Sequence, residues 1–167
     1  MKGLGHCLIT VVLMSLVTGF AHAAENQPAA DTAAKVDMYA SPKALKWGPA
    51  PPVVPKGAKA VVMAGDPFKD GSSYTLRLKM PKGYKIPPHW HPKDENVTVI
   101  SGTLGAGMGD KFDPAKGELM KPGGFVRMPQ GMHHFAWAET PAIVQVHGLG
   151  PFAFTYVNPA DDPRNQH

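Results

Sequence analysis

Hydrophobic and polar residues alternate most cleanly over residues 73–80, where Tyr74, Leu76, Leu78 and Met80 fall on one side and Ser73, Thr75, Arg77 and Lys79 on the other. A period of two is the signature of a half-buried strand. Shorter strand-like runs recur at residues 60–64, 96–101, 103–109, 125–128, 142–147 and 152–157, separated by turn signals such as Asp66-Pro67, residues 81–83 and residues 112–117. No stretch between Ala58 and Val157 sustains a 3.6-residue period. Closely spaced short strands with Gly/Pro turns predict an all-β sandwich or barrel.

The chain ahead of Ala58 reads differently. Residues 39–57 carry Pro42, Pro49, Pro51, Pro52 and Pro55 around Trp47. So many prolines exclude a helix interior or a central strand and predict an extended arm across the outside of a sheet, pinned by Trp47. Residues 24–35, polar and alanine-rich, read as a flexible lead-in. Lead-in and arm therefore fill residues 24–57, the β-barrel residues 58–160, and a solvated tail with Asp161, Asp162 and Arg164 residues 161–167.

Residues 1–23 have the layout of a secretory signal: Lys2, an apolar run over residues 8–20, and Ala21-His22-Ala23 as the cleavage site. The apolar run is too short and wrongly flanked for a membrane span, so no membrane partner is expected once the signal is cut. Without a twin arginine, the general secretion route is expected, placing the protein in the periplasm or outside the cell. The single cysteine, Cys7, leaves with the signal, and stability must then come from core packing without a disulfide. The formal charge is +4, and it falls by one when Lys2 leaves. Lysines and arginines are interrupted by acids such as Asp94, Glu95, Asp110, Asp113 and Glu118 and form no basic stripe, which argues against a nucleic-acid partner.

Two segments carry the candidate chemistry. Residues 83–102, GYKIPPHWHPKDENVTVISG, place His89, His91 and Glu95 close together, and residues 123–137 add His133 and His134 after a Pro-x-Gly turn. On a strand, His89 and His91 share one face and Trp90 the other. Pro87-Pro88 stiffens the approach and limits ladder pairing. A turn at residues 92–94 would bring Glu95 onto the next strand beside the same point, and the turn at residues 129–131 would deliver a further imidazole from the other sheet. Such donors suit a mid-row transition metal, and outside the cytoplasm the affinity order favours copper and zinc over manganese and iron.

The spacings Gly83-x5-His89-x-His91-x3-Glu95-x6-Gly102 and Gly123-x5-Pro129-x-Gly131-x2-His134 resemble the two motifs of the cupin superfamily. The second motif usually continues to an asparagine where this chain has Ala138, a departure that removes no ligand. The resemblance implies a single-domain jelly-roll barrel, a metal ion (Zn, Cu, Fe, Mn or Ni) held by His89, His91, Glu95 and His134, and His133 outside or at the mouth. It also implies a homodimer formed through paired sheets and a small-molecule substrate or ligand.

His147 alternates with Ile143 and Gln145 and reads either as a cavity residue or as a satisfied structural histidine. Tyr74, Arg77, Gln145 and Tyr156 are further cavity candidates, and Trp90, Phe135 and Trp137 form an apolar mouth or face outward. Met108, Met128 and Met132 read as gap-fillers. Two enzymatic readings follow: a dioxygenase, or a non-redox lyase or isomerase in which Glu95, Tyr74 or His147 moves a proton. A periplasmic metal- or ligand-binding protein without turnover is the alternative.

Overall fold

The computed structural model describes residues 39–166; the signal and lead-in expectations over residues 1–35 lie outside the described residues. The strands are β1 (Gly48–Pro49), β2 (Lys59–Gly65), β3 (Ser73–Met80), β4 (Lys85–Trp90), β5 (Glu95–Ser101) and β6 (Leu104–Met108). They continue with β7 (Gly117–Met120), β8 (Phe125–Met128), β9 (His134–Ala138), β10 (Ala142–Leu149) and β11 (Thr155–Tyr156). One sheet has the order β1-β2-β3-β10-β5-β8 and the other β11-β4-β9-β6-β7, all pairs antiparallel. This is the all-β jelly-roll architecture expected.

The alternation read in β3 sets the core. Tyr74, Leu76, Leu78 and Met80 are buried, and their antiparallel neighbour β10 answers with buried Ala142, Val144 and Val146. From the opposite sheet, Ile86, Leu104 and Ala138 close the barrel. At Gly102 the chain turns with φ +77°, and a Cβ there would lie 2.0 Å from the carbonyl oxygen of Pro141, so only glycine fits.

Strand β9 has two buried faces. His134, Ala136 and Ala138 point into the barrel, whereas Phe135 and Trp137 pack on its outside, seated over Gly107 and Gly105, where a Cβ would come within 2.4 and 2.1 Å of their rings. Phe112 covers them, with ring centroids 5.1 Å from Phe135 and 6.1 Å from Trp137. These two aromatics therefore build a small external apolar cluster and not the cavity mouth. Trp90, half-buried, also turns away from the interior.

The proline arm pairs as an edge strand, with Gly48 opposite Ala60. Its firm anchors are the buried Val54 and two phenols: Tyr156 donates to the Val53 carbonyl at 2.7 Å and Tyr84 to that of Pro55. Trp47 is only half-buried, with the Lys79 ammonium 5.9 Å from its ring. At the other terminus the expected solvated tail is ordered into 3-10 turns at Pro159–Asp161 and Pro163–Asn165, and Asp162 is buried.

Candidate metal centre

Strand β4 carries His89 at its end and releases the chain at His91. The consecutive prolines disturb pairing as their chemistry requires, and the β4–β9 register shifts between Ile86 and His89. Beyond the shift, His89 stands directly opposite His134. The sequence expectation had His134 arriving from the other sheet; it comes from the strand next to His89, and Glu95 is the residue contributed by the six-stranded sheet. Asp94 locks the intervening turn: its carboxylate accepts from the Arg127 guanidinium at 2.6 Å and from the Gln130 amide at 2.8 Å. Gly131 in turn donates its N–H to the His91 carbonyl at 3.0 Å, tying both motifs together.

His89, His91 and His134 are all buried, and one ring nitrogen from each lies within 4.8 Å of the others. The Nδ1 atoms face backbone carbonyls: Pro87 at 2.7 Å, Ala153 at 2.9 Å and Met132 at 2.8 Å. A carbonyl only accepts, so each Nδ1 carries a proton and donates it. The neutral tautomer then leaves a lone pair on every Nε2. Oε2 of Glu95 lies 3.3 Å from Nε2 of His91, an ion-pair distance without hydrogen-bond alignment, and that buried nitrogen has no hydrogen-bond partner. Convergent imidazole lone pairs beside a buried carboxylate fit a divalent transition ion, and outer carbonyls holding Nδ1–H are the usual support of metal-binding histidines.

Burial, with His134 and His91 nearby, holds His89 well below the ordinary imidazole range, and burial with the charge of His91 lowers His134. His91 moves the other way. Burial opposes its protonation, but the Glu95 charge and the Ala153 carbonyl together outweigh that and raise it. Burial likewise pushes Glu95 up, yet the charges of His91 and His134 leave it below the usual carboxylate range. His89 and His134 are thus held neutral and ready to ligate, while Glu95 favours a proton on His91 that a metal would displace.

His89, Glu95 and His134 share a narrow cavity whose other walls are apolar, among them Val97, Met128, Val146 and Phe154. About 40 Å³ is open to the centre of a water molecule, space for roughly three waters. Tyr74 faces the interior without lining this cavity; burial and then Glu95 push its phenol far up, so it stays protonated. Tyr156 is spent on Val53.

His147 does not line the cavity. Val144 and Val146 take the interior positions of β10, so His147, Gln145 and Ile143 lie on the outer face, where Gln145 accepts from Arg77 at 3.1 Å. The phase of the alternation, read from β10 alone, was ambiguous until its neighbours were known. His133 also turns outward, its Nδ1 2.6 Å from Asp110. Sequence reasoning missed the three carbonyls, because any residue supplies one, and missed Phe154, whose ring stacks on His89 at 4.2 Å.

Two facing antiparallel sheets with three histidines converging inside the barrel define a cupin. Within that class the chain belongs to a domain family of unknown function, DUF4437, which matches residues 43–162. No curated protein matches it. Among solved structures it is similar to the polyketide cyclase RemF from Streptomyces resistomycificus, at 16% identity over 75% of this chain and 88% of that one, TM-score 0.58. It is also similar to a proposed acetylacetone dioxygenase from Methylibium petroleiphilum PM1, at 20% identity over 75% of this chain and 83% of that one, TM-score 0.55. At such identities the likeness is one of fold.

Proposed function

We propose that the protein is an exported metal-dependent cupin enzyme that binds one divalent transition ion through His89, His91, His134 and Glu95 and acts on a small oxygenated molecule. The observation that carries this reading is the arrangement of imidazoles, each with Nδ1 committed to a carbonyl and the three rings buried with one nitrogen from each within 4.8 Å of the others. A bound metal would polarise a substrate oxygen and, if redox-active, support oxygen chemistry.

The chain's own residues do the rest. The carbonyls of Pro87, Ala153 and Met132 hold the ring tautomers, and the apolar wall excludes bulk water and admits small, weakly polar molecules. Glu95, ionised at neutral pH, has a second carboxylate oxygen able to take a proton from a substrate hydroxyl or activated C–H. Among the described residues the cavity offers no other proton-transfer group besides the imidazoles. Apart from the imidazoles, acid–base chemistry in the cavity would fall to Glu95 alone, whereas metal-centred oxygen chemistry asks for fewer proton-transfer groups, and this favours the dioxygenase reading.

Elemental analysis of the exported, untagged protein tests the first step, and oxygen uptake across catechols, β-diketones, flavonols and small carboxylates tests the second. Near-stoichiometric iron, manganese, nickel or copper with uptake on one class supports the proposal. Zinc with no turnover points to a binding protein, and no metal even after reconstitution removes the basis of the assignment.

A further inference from the structure

We infer that Arg164, in the C-terminal turn, is a positioning residue of the metal centre and acts through the irregular segment 151–154. The inference rests on the reading of the three histidines as a metal site. Strand β4 is held along one edge by β9, but on its other edge β11 supplies only Thr155 opposite Trp90 and Tyr156 opposite His89. The Val157 N–H continues this edge to the Pro88 carbonyl at 2.9 Å, whereas the chain just before β11 runs past the end of β4, beside His91, without ladder bonds. Three of its residues meet the histidines: the Ala153 carbonyl takes the His91 Nδ1 proton, Phe154 stacks on His89 at 4.2 Å and 12°, and Phe152 lies 6.5 Å from His91. Phe154 also meets His91 edge-on at 4.7 Å. The orientation of two candidate ligands thus depends on one short segment.

Before residue 152 that segment is fixed by the Phe152 N–H to the Pro67 carbonyl at 2.6 Å. After residue 153, Arg164 Nη2 donates to the Phe154 carbonyl at 3.3 Å. Asp162 aims the guanidinium with three further bonds, Nε to Oδ1 at 2.8 Å and to Oδ2 at 3.1 Å, and Nη2 to Oδ2 at 2.6 Å. With the Arg164 side chain about half exposed, at 47%, the ion pair contributes little to stability by itself. Here the planar fork serves geometry: one edge is fixed on Asp162 while the same Nη2 reaches Phe154, an arrangement that lysine reproduces only in part. Rotation of the Phe154 peptide would tilt its ring on His89 and draw the Ala153 carbonyl from His91. Arg164 itself contacts none of the candidate ligands.

The test uses the full exported chain, stripped of metal and titrated with Co(II), comparing wild type with Arg164→Ala, Arg164→Lys, Phe154→Leu and the Ala/Leu double variant. We expect Arg164→Ala to shift the Co(II) d–d bands and to speed Co(II) loss to a chelator roughly tenfold, the scale of lost outer-sphere support. Arg164→Lys should recover part of the shift, and in the Phe154→Leu background the Arg164→Ala effect should shrink, since both act through one contact. Unchanged bands and rate, with only a lower unfolding temperature, would reduce Arg164 to a surface clamp. The imidazole NMR signals of His89 and His91 in the metal-free protein provide a second reading that needs no metal. If wild type takes up no Co(II), the metal assignment fails, yet altered signals in Arg164→Ala still support the positioning role and unaltered ones overturn it.

Discussion

The two sheets of this barrel are built from the same alternation and put to different uses. In the six-stranded sheet, β3 and β10 run in continuous register along their whole length, Ser73 opposite Leu149 through Met80 opposite Ala142, and the inward positions of both are almost entirely apolar. It contributes one candidate ligand, Glu95, at the first residue of β5. In the five-stranded sheet, two prolines break the β4–β9 register, β11 covers two residues only, and three buried histidines gather at the break. The difference teaches where a polar site can sit. A regular ladder spends its backbone groups chiefly on its own pairing, whereas at the irregular end the carbonyls of Pro87, Met132 and Ala153 hold imidazole protons. Regular pairing supplies stability, and the irregular end supplies chemistry.

That contrast can be broken most severely by His89→Ala with His91→Ala. Metal binding should fall by more than about a hundredfold, as removal of two ligands predicts, while the far-ultraviolet circular dichroism of a β-barrel persists. Stoichiometric metal in this variant would disprove the site. The opposite dissection is Leu76→Ala in the six-stranded sheet, where the side chain is 1% exposed. Urea unfolding should show a loss of about 2–5 kcal/mol, with metal stoichiometry unchanged in the molecules that remain folded.

A smaller effect is expected from pH. His91 titrates above its ordinary value of 6.5, so its proton stabilises the folded metal-free state fully below pH 6.5, and this contribution fades as pH rises through the raised pKa. A metal must displace that proton. Apparent affinity should therefore fall about tenfold per unit as pH drops below the raised pKa, and binding there should release about one proton. Glu95→Gln removes the partner charge and should lower the pH at which release occurs; calorimetry in buffers of different ionisation heat measures both. Least of all should happen in His147→Ala. Its ring lies on the outer face, so stability should change by about 0.5 kcal/mol or less, with metal affinity unaltered. A loss of metal there would place His147 inside after all.

Much of this was legible in the chain. The period-two run of residues 73–80 determined a strand and its buried face, because alternate side chains of a strand must point to opposite sides. The paired glycine, proline and histidine spacings marked the barrel class, and the i, i+2 relation of His89 and His91 put both on one face. His147 shows where the same rule stops. Alternation says which residues share a face, and neighbouring strands decide which face is inside. Phe135 and Trp137 make the same point, since glycines on β6 gave the outer face of β9 a cradle of its own.

By itself, then, the sequence determined strand identity, turn positions and the set of side chains able to ligate, all of them consequences of local geometry and residue chemistry. Only the tertiary structure decided that His134 stands beside His89 in one sheet, that Glu95 crosses from the other, and that residues 151–154 and the C-terminal turn close around them. The physical reason is that these depend on strand order and on backbone carbonyls far apart in the chain. A carbonyl belongs to every residue alike and leaves no mark in the sequence until the fold assigns it a partner.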